Sequence, residues 1–240
     1  MISGVHPVRE ALRANRPLDR VLVARGTGGA RLQEIVELCR ERSIPLRFEP
    51  RETLDRASHT ANHQGVIAFG AAHEYAELDD VLAGARLLVV LDGIEDPHNL
   101  GAIIRTAHAA GAAAVVVPER RAAGLTETVA KAAAGALEYL PVVRAANSAK
   151  ILETLKSRGF WIYGVDERGD QLYSDAPYVQ PTVFVLGGEG HGLHQNVKSH
   201  CDVLVRIPMA GPISSLNVSV AAGIVLFDWR RKAGPMDAAV

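Results

Sequence analysis

The sequence predicts an α/β protein with two successive units, the larger carrying a largely parallel, helix-covered sheet. Two observations carry this. Short apolar strands alternate with helix-period segments along nearly all of the 240 residues, a pattern that folds into parallel strands with helices packed on them. An acidic, weakly periodic stretch at residues 71–84, ending in Gly84, divides the alternation into two blocks.

In the first block, residues 20–25 read as a strand through Val21-Leu22-Val23-Ala24. Residues 30–42 follow a helical period, with apolar side chains at 32, 35, 36, 38 and 39. A short strand at 46–49, a short helix at 51–57 and a strand at 65–69 complete a unit of about 70 residues, small but able to hold its own core. Cys39 falls on the apolar face of its helix and reads as core. In the second block Leu87–Leu91 is an unbroken apolar run, as in a strand buried on both faces. Strands at 115–117, 142–143, 161–165, 183–186 and 203–207 repeat the theme. Helices at 100–110, 126–134, 149–158 and 216–230 separate several of them. The last is apolar around most of its circumference and should be buried on several sides.

Composition narrows the function. Apolar residues make up 48% and charged residues 22%, which excludes disordered and fibrous chains. Two cysteines are too few for a disulfide framework and suit a reducing compartment. The longest apolar run, 218–227, is about half the roughly 20 residues a membrane helix needs, and the first residues lack a signal-peptide pattern. A soluble, cytoplasmic protein is expected. Net charge is −1, but residues 1–75 carry 11 Arg, no Lys and 9 acidic residues. That part is mildly positive and relies on the side chain that forks onto phosphate.

In open α/β sheets ligands sit at the carboxyl ends of strands, and three motifs follow strands here. The first is Asp92-Gly93-Ile94-Glu95-Asp96-Pro97-His98-Asn99-Leu100-Gly101, leading to Arg105-Thr106-Ala107. Asp96 or Asn99 suits a helix cap. Arg105, among apolar neighbours, needs an anionic partner or a site mouth. The second is Leu186-Gly187-Gly188-Glu189-Gly190-His191-Gly192-Leu193. Its glycines allow a ligand close to the backbone, but their spacing is not that of a dinucleotide fingerprint, and no acid ends the next strand. The third runs from Ile207-Pro208-Met209 to Ser214-Ser215-Leu216-Asn217-Val218. Ser214 or Ser215 suits the cap of the last helix, with Asn217 inside its first turn. His191, His194, His200 and Cys201 match no standard zinc spacing, so no metal is expected.

In this order and spacing the three motifs resemble the SpoU branch of the SPOUT RNA methyltransferases. Gly4-Val5-His6-Pro7-Val8-Arg9-Glu10 and His63-Gln64-Gly65-Val66 are similar to the subgroup that methylates a guanosine 2′-hydroxyl of 23S ribosomal RNA. The resemblance implies an L30e-like RNA-binding domain at 1–71, a linker at 72–85 and a SPOUT α/β-knot catalytic domain, with a C-terminal trefoil knot, at 86–240. It implies a homodimer through the knot domain and S-adenosylmethionine as cofactor. Leu186, Gly187, Gly188, Gly190, Ile207, Met209, Ser215, Leu216 and Val218 would hold that cofactor. Arg105 would be the main catalytic residue, with Asn99, Glu189, Ser215 and Asn217 positioning it, the target ribose or the methionine end. One departure is visible: the second motif usually carries Ala and an acid where this chain has Gly188 and His191.

The reaction implied is in-line transfer of a methyl group from a sulfonium to a ribose oxygen. A guanidinium with a pKa above about 12 is a poor base. Arg105 is better suited to clamping a phosphate and stabilising developing oxyanion charge. Competing readings are the same chemistry on transfer RNA, a non-catalytic RNA-binding protein with this fold, and a nucleotide-binding oxidoreductase. The first is disfavoured by the front module, the second by the motif residues and the third by the glycine spacing.

Overall fold

The computed structural model describes residues 1–58, 63–188, 192–212 and 215–234. The first unit runs β1 (Ile2–Ser3), α1 (Val5–Arg13), β2 (Leu18–Ala24), α2 (Ala30–Glu41), β3 (Leu46–Glu49), α3 (Arg51–Ala57) and β4 (Val66–Gly70). Its sheet has the order β1-β4-β2-β3, with only β2 and β3 parallel. Alternation along β2 splits its side chains: Val21 and Val23 pack with α1 and α2, including Cys39, while Leu22 and Ala24 meet Leu54 of α3.

The predicted strands and helices of this unit are present. β1 and α1 are additional. α1 starts behind Gly4, whose φ of 109° is glycine territory, and places Pro7 in its first turn, where the missing N–H costs nothing. The dividing stretch is seated on the second unit. Ala76 bridges to Val143, and Val81 of α4 (Leu78–Leu82) is buried there.

The second unit continues through β5 (Leu87–Asp92), α5 (Pro97–Ala110), β6 (Ala114–Pro118), α6 (Glu127–Ala133), β7 (Val142–Ala145), α7 (Ser148–Ser157), β8 (Trp161–Val165), β9 (Gln171–Leu172), β10 (Thr182–Gly187), α8 (Gln195–Lys198), β11 (Val203–Arg206) and α9 (Val218–Lys232). The seven strands pair in parallel in the order β7-β6-β5-β10-β8-β11-β9. Leu87, Val89 and Leu91 face a core with α5, α6 and α9. Leu88 and Val90 face a second core with α4, α7 and α8. Three layers result, as continuous apolar strands require.

After β11, outboard of β8, the chain returns so that α9 packs against α5 and β10. Trp229 is fully buried and its indole N–H donates to Thr182 Oγ1 at 2.9 Å. Two expectations need correcting. α5 begins at Pro97, three residues early, because Asp96 caps it by accepting from His98 N–H at 2.9 Å. α9 begins at Val218, because Asn217 is its cap rather than a first-turn residue. Asn217 Oδ1 accepts from Ser219 N–H at 2.9 Å, so Ser215 is not the cap, and Ser214 lies outside the described residues. α9 buries Val218, Ala222, Val225, Leu226 and Trp229 and leaves Val220 and Phe227 half-exposed.

Candidate functional site

The three motif loops meet at one end of the large sheet, as strand-end placement requires. A cavity of about 590 Å³ lies between them. It is lined by Leu186, Gly187, Gly188, Ile207, Met209, Ser215, Leu216 and Val218. These are all the expected cofactor residues except Gly190, which with Glu189 and His191 lies outside the described residues. The volume suits a ligand the size of a nucleoside with a short tail. Its walls combine apolar faces (Val165, Leu186, Leu216, Ala221) with Asp166, Glu167 and Lys198.

A second cavity of about 550 Å³ adjoins it, sharing Gly188, Gly192 and Val218 as a common wall. Asp92, Glu95, Asp96, Asn99, Arg121 and His194 line the rest. A hydrogen bond joins the linings of the two chambers: Asn217 Nδ2, in the first, donates to Asn99 Oδ1, in the second, at 3.0 Å. The sequence placed these asparagines in separate motifs, and the return of α9 onto α5 makes them neighbours.

The glycines act differently from expectation. A side chain on Gly187 would meet the Gly192 backbone at 2.1 Å, and one on Gly188 would meet the Gly93 carbonyl oxygen at 2.1 Å. Gly187 thus lets its own motif close on Gly192, and Gly188 lets that motif meet Gly93 of the first, besides any approach of a ligand. Gly101 is similar: a methyl there would sit 2.4 Å from Ala132 Cβ, so this motif glycine lets α6 pack on α5.

Several lining residues were not singled out from sequence. Asp92 ends β5 and is buried. Its carboxylate accepts from Ser148 Oγ (3.2 Å), from His194 N–H (3.0 Å) and from His194 Nδ1 (2.8 Å). That bond puts the ring proton on Nδ1 and leaves Nε2 to accept from Arg121 at 3.4 Å. Asp166, just past β8, accepts from Arg168 N–H at 3.0 Å and pairs with Lys198 at 2.6 Å. The strand-end rule that found the motifs points to Asp92 and Asp166 as well, since each closes a buried strand.

Arg105 lines neither cavity. It is exposed on α5, and among the described residues it has no carboxylate partner. The sequence expectation that Arg105 needs an anionic partner or a site mouth is therefore not met among the described residues: on the exposed face of α5 its charge is solvated.

The model of the SpoU rRNA Methylase family matches residues 86–227, and that of the RNA 2′-O ribose methyltransferase substrate-binding domain matches residues 1–76. The chain belongs to the SpoU rRNA methylase family. As a SpoU methylase it is an RNA 2′-O-ribose methyltransferase, and its α/β architecture is the SPOUT fold. It is 43% identical to a Bacillus subtilis (strain 168) protein, YacO, which its name places in the TrmH family of tRNA/rRNA methyltransferases. That match covers 98% of this chain and 96% of the relative. The AdoMet-bound rRNA methyltransferase of Sinorhizobium meliloti superposes with a TM-score of 0.81 at 26% identity, over 95% of this chain and 85% of that one. The TrmH/SpoU tRNA modifying enzyme of A. aeolicus gives 0.56 at 30% identity, over 62% of this chain and 75% of that one.

Proposed function

We propose that this SpoU methylase modifies the ribose 2′-oxygen of a guanosine in 23S ribosomal RNA, in the cytoplasm, as a homodimer, with S-adenosylmethionine in the first cavity. The observation that carries the reading is the shared wall of Gly188, Gly192 and Val218, which sets a cofactor chamber directly against a second chamber holding Asn99. The donor set fits the cofactor. Leu186, Ile207 and Leu216 offer apolar surface and backbone groups to an adenosyl moiety, and Glu167 offers a carboxylate to hydroxyls. When bound, S-adenosylmethionine supplies an electrophilic methyl group on a sulfonium.

The chain's residues do the rest. Backbone groups of Gly187, Ile207 and Leu216 hold the adenosyl part, and the Asn217–Asn99 bond fixes the edge between the chambers. Ser215 and Asn217 position the methionine end or the target ribose. Arg105 clamps an RNA phosphate and stabilises charge on the ribose oxygen as its proton leaves for a phosphate oxygen. Ribosomal RNA is favoured over transfer RNA because the substrate-binding model spans residues 1–76, whereas the A. aeolicus tRNA enzyme matches only 62% of the chain. The front motifs, with Gly4-Val5-His6 and His63-Gln64-Gly65, resemble those of the subgroup that methylates a guanosine of 23S ribosomal RNA. The half-exposed Val220 and Phe227 of α9 give a second copy an apolar surface to cover.

Calorimetry with S-adenosylmethionine, S-adenosylhomocysteine and NAD tests the chamber assignment. Micromolar binding of the first two and none of NAD is expected. No binding of S-adenosylmethionine at millimolar concentration contradicts it.

A further inference from the structure

The second cavity carries charges of both signs in its lining, and hydrogen bonds hold them in place. Buried Asp92 fixes the His194 ring through Nδ1 at 2.8 Å. The ring lies against Gly93, where an added Cβ would sit 3.7 Å from its Cε1. Arg121 then donates to His194 Nε2 at 3.4 Å. A carboxylate, an imidazole and a guanidinium thus form one chain from the end of β5 to the loop after β6. That loop is also tied to the first motif, because Ala123 N–H donates to Ile94 O at 2.9 Å. The bond falls just after Arg121 in one segment and just before Glu95 in the other, so it sets the guanidinium's segment beside the carboxylate's.

The fold uses some of these groups and leaves two available. Asp92 already accepts from Ser148 and His194, Asp96 caps α5, and Asn99 Oδ1 accepts from Asn217. Glu95 and Arg121 also line the cavity and are exposed in it. Among the described residues Glu95 has no cationic partner and Arg121 no carboxylate partner. Arg121 also holds a φ of 59°, the left-handed region that residues other than Gly, Asn and Asp seldom adopt. A backbone of that kind persists where its surroundings fix it. Here the His194 bond and the neighbouring Ala123–Ile94 bond do so.

We propose that Glu95 and Arg121 read the target base in the second cavity, and that the base they select is guanine. Of the four RNA bases only guanine presents two adjacent donors, N1–H and the N2 amine, which one carboxylate accepts side by side. Its other edge presents O6 and N7, the pair on which an arginine fork closes. Adenine would turn its N1 lone pair toward the carboxylate and its N6 amine toward the guanidinium, like against like. Cytosine would meet the carboxylate with the N3 lone pair. A cavity of about 550 Å³ holds a nucleoside unstacked from its strand. Asp92 and His194 are positioning residues that hold Arg121. The assignment rests on the reading of this chain as an RNA ribose methylase with its cofactor in the first cavity. It adds which residues choose the base.

The test is methyl transfer to a 23S rRNA fragment in which the methylated guanosine, once mapped, is replaced by inosine or by 7-deazaguanosine. Inosine lacks the N2 amine and 7-deazaguanosine lacks the N7 acceptor. Wild-type kcat/KM should fall at least about tenfold with each, the worth of one bond to a charged group. In Glu95→Ala the inosine loss should shrink to within about twofold while the 7-deazaguanosine loss remains. Arg121→Ala should show the reverse, and His194→Ala should follow Arg121→Ala, a pattern that a merely structural role would not give. Calorimetric affinity for S-adenosylmethionine should stay at the wild-type value in all three variants, since none of these side chains lines the first cavity. The wild-type ratios need no variant, so they decide the matter even where a substitution disturbs folding. Equal wild-type transfer to guanosine and inosine overturns the assignment, as does an inosine loss that survives Glu95→Ala or methylation of a ribose bearing another base. A wild-type protein that methylates no RNA removes the functional reading itself, a result distinct from guanosine methylation without these couplings.

Discussion

Asn217 accepts from Ser219 N–H at the start of α9 and donates to Asn99 on α5, so one amide caps a helix and joins two motif loops. The two jobs separate by substitution. Asn217→Ala should cost about 1 kcal/mol from the lost cap and also lower methyl transfer. Asn217→Asp keeps the cap acceptor and loses the donor, so melting should stay near wild type while transfer falls. Equal transfer in the aspartate and wild-type proteins contradicts the role given to the amide. Arg105→Lys keeps charge but not the fork, and the clamp assignment predicts a transfer rate at least about 100-fold lower with S-adenosylmethionine affinity unchanged. Substantial lysine activity would reduce Arg105 to a simple charge. At this scale the sequence marked Arg105 as a charge among apolar neighbours, and Asn99 and Asn217 through the motifs that hold them. It did not reveal that the asparagines touch, because 118 positions separate them and only the return of α9 joins them.

Gly101 shows what patterning can and cannot say about elements. The motif marks it, yet a methyl at this position would lie 2.4 Å from Ala132 Cβ and 2.7 Å from the Val129 carbonyl oxygen. Gly101→Val should destabilise the protein by about 1–3 kcal/mol through overpacking of α5 on α6, read as a lower melting temperature. An unchanged melting temperature contradicts this packing role. The buried strands and most helices were legible because an apolar run or a 3.6-residue period reports burial directly. α1 was not, since Gly4 and Pro7 bracket its start and mask its period, although Val8, Ala11 and Leu12 are fully buried. The glycines at 187 and 188 were legible as special but not in purpose, because Gly187 packs on Gly192 of its own motif and Gly188 on Gly93 of the first motif.

The whole molecule depends on the seam that brings α1 to the stretch carrying Gly135 and Tyr139. Glu10 is its buried carboxylate. Burial pushes its pKa up, but hydrogen bonds from Arg9 and Tyr139 and the charges of Arg9 and Arg13 outweigh that and hold it below its ordinary 4.5. A depressed folded-state value means its stabilisation is complete above about pH 4.5 and is lost as pH falls through that lower value. Glu10→Gln should therefore flatten the acid limb of melting temperature against pH, and an unchanged limb places the acid sensitivity elsewhere. The break at 71–84 falls between the strands of the two sheets, but how the elements on either side dock was not legible. The residues that join them (Ser3, Glu10 and Arg16 with Glu127, Tyr139 and Glu138) carry no local pattern. The central claim is methylation of a guanosine ribose in 23S ribosomal RNA. It is tested most directly by incubating the purified protein with S-adenosylmethionine and either 23S rRNA or tRNA transcripts, then digesting the RNA to nucleosides for mass spectrometry. 2′-O-methylguanosine is expected from the 23S transcript alone. Methylated nucleoside from tRNA alone, or a methyl group on a base, would contradict it.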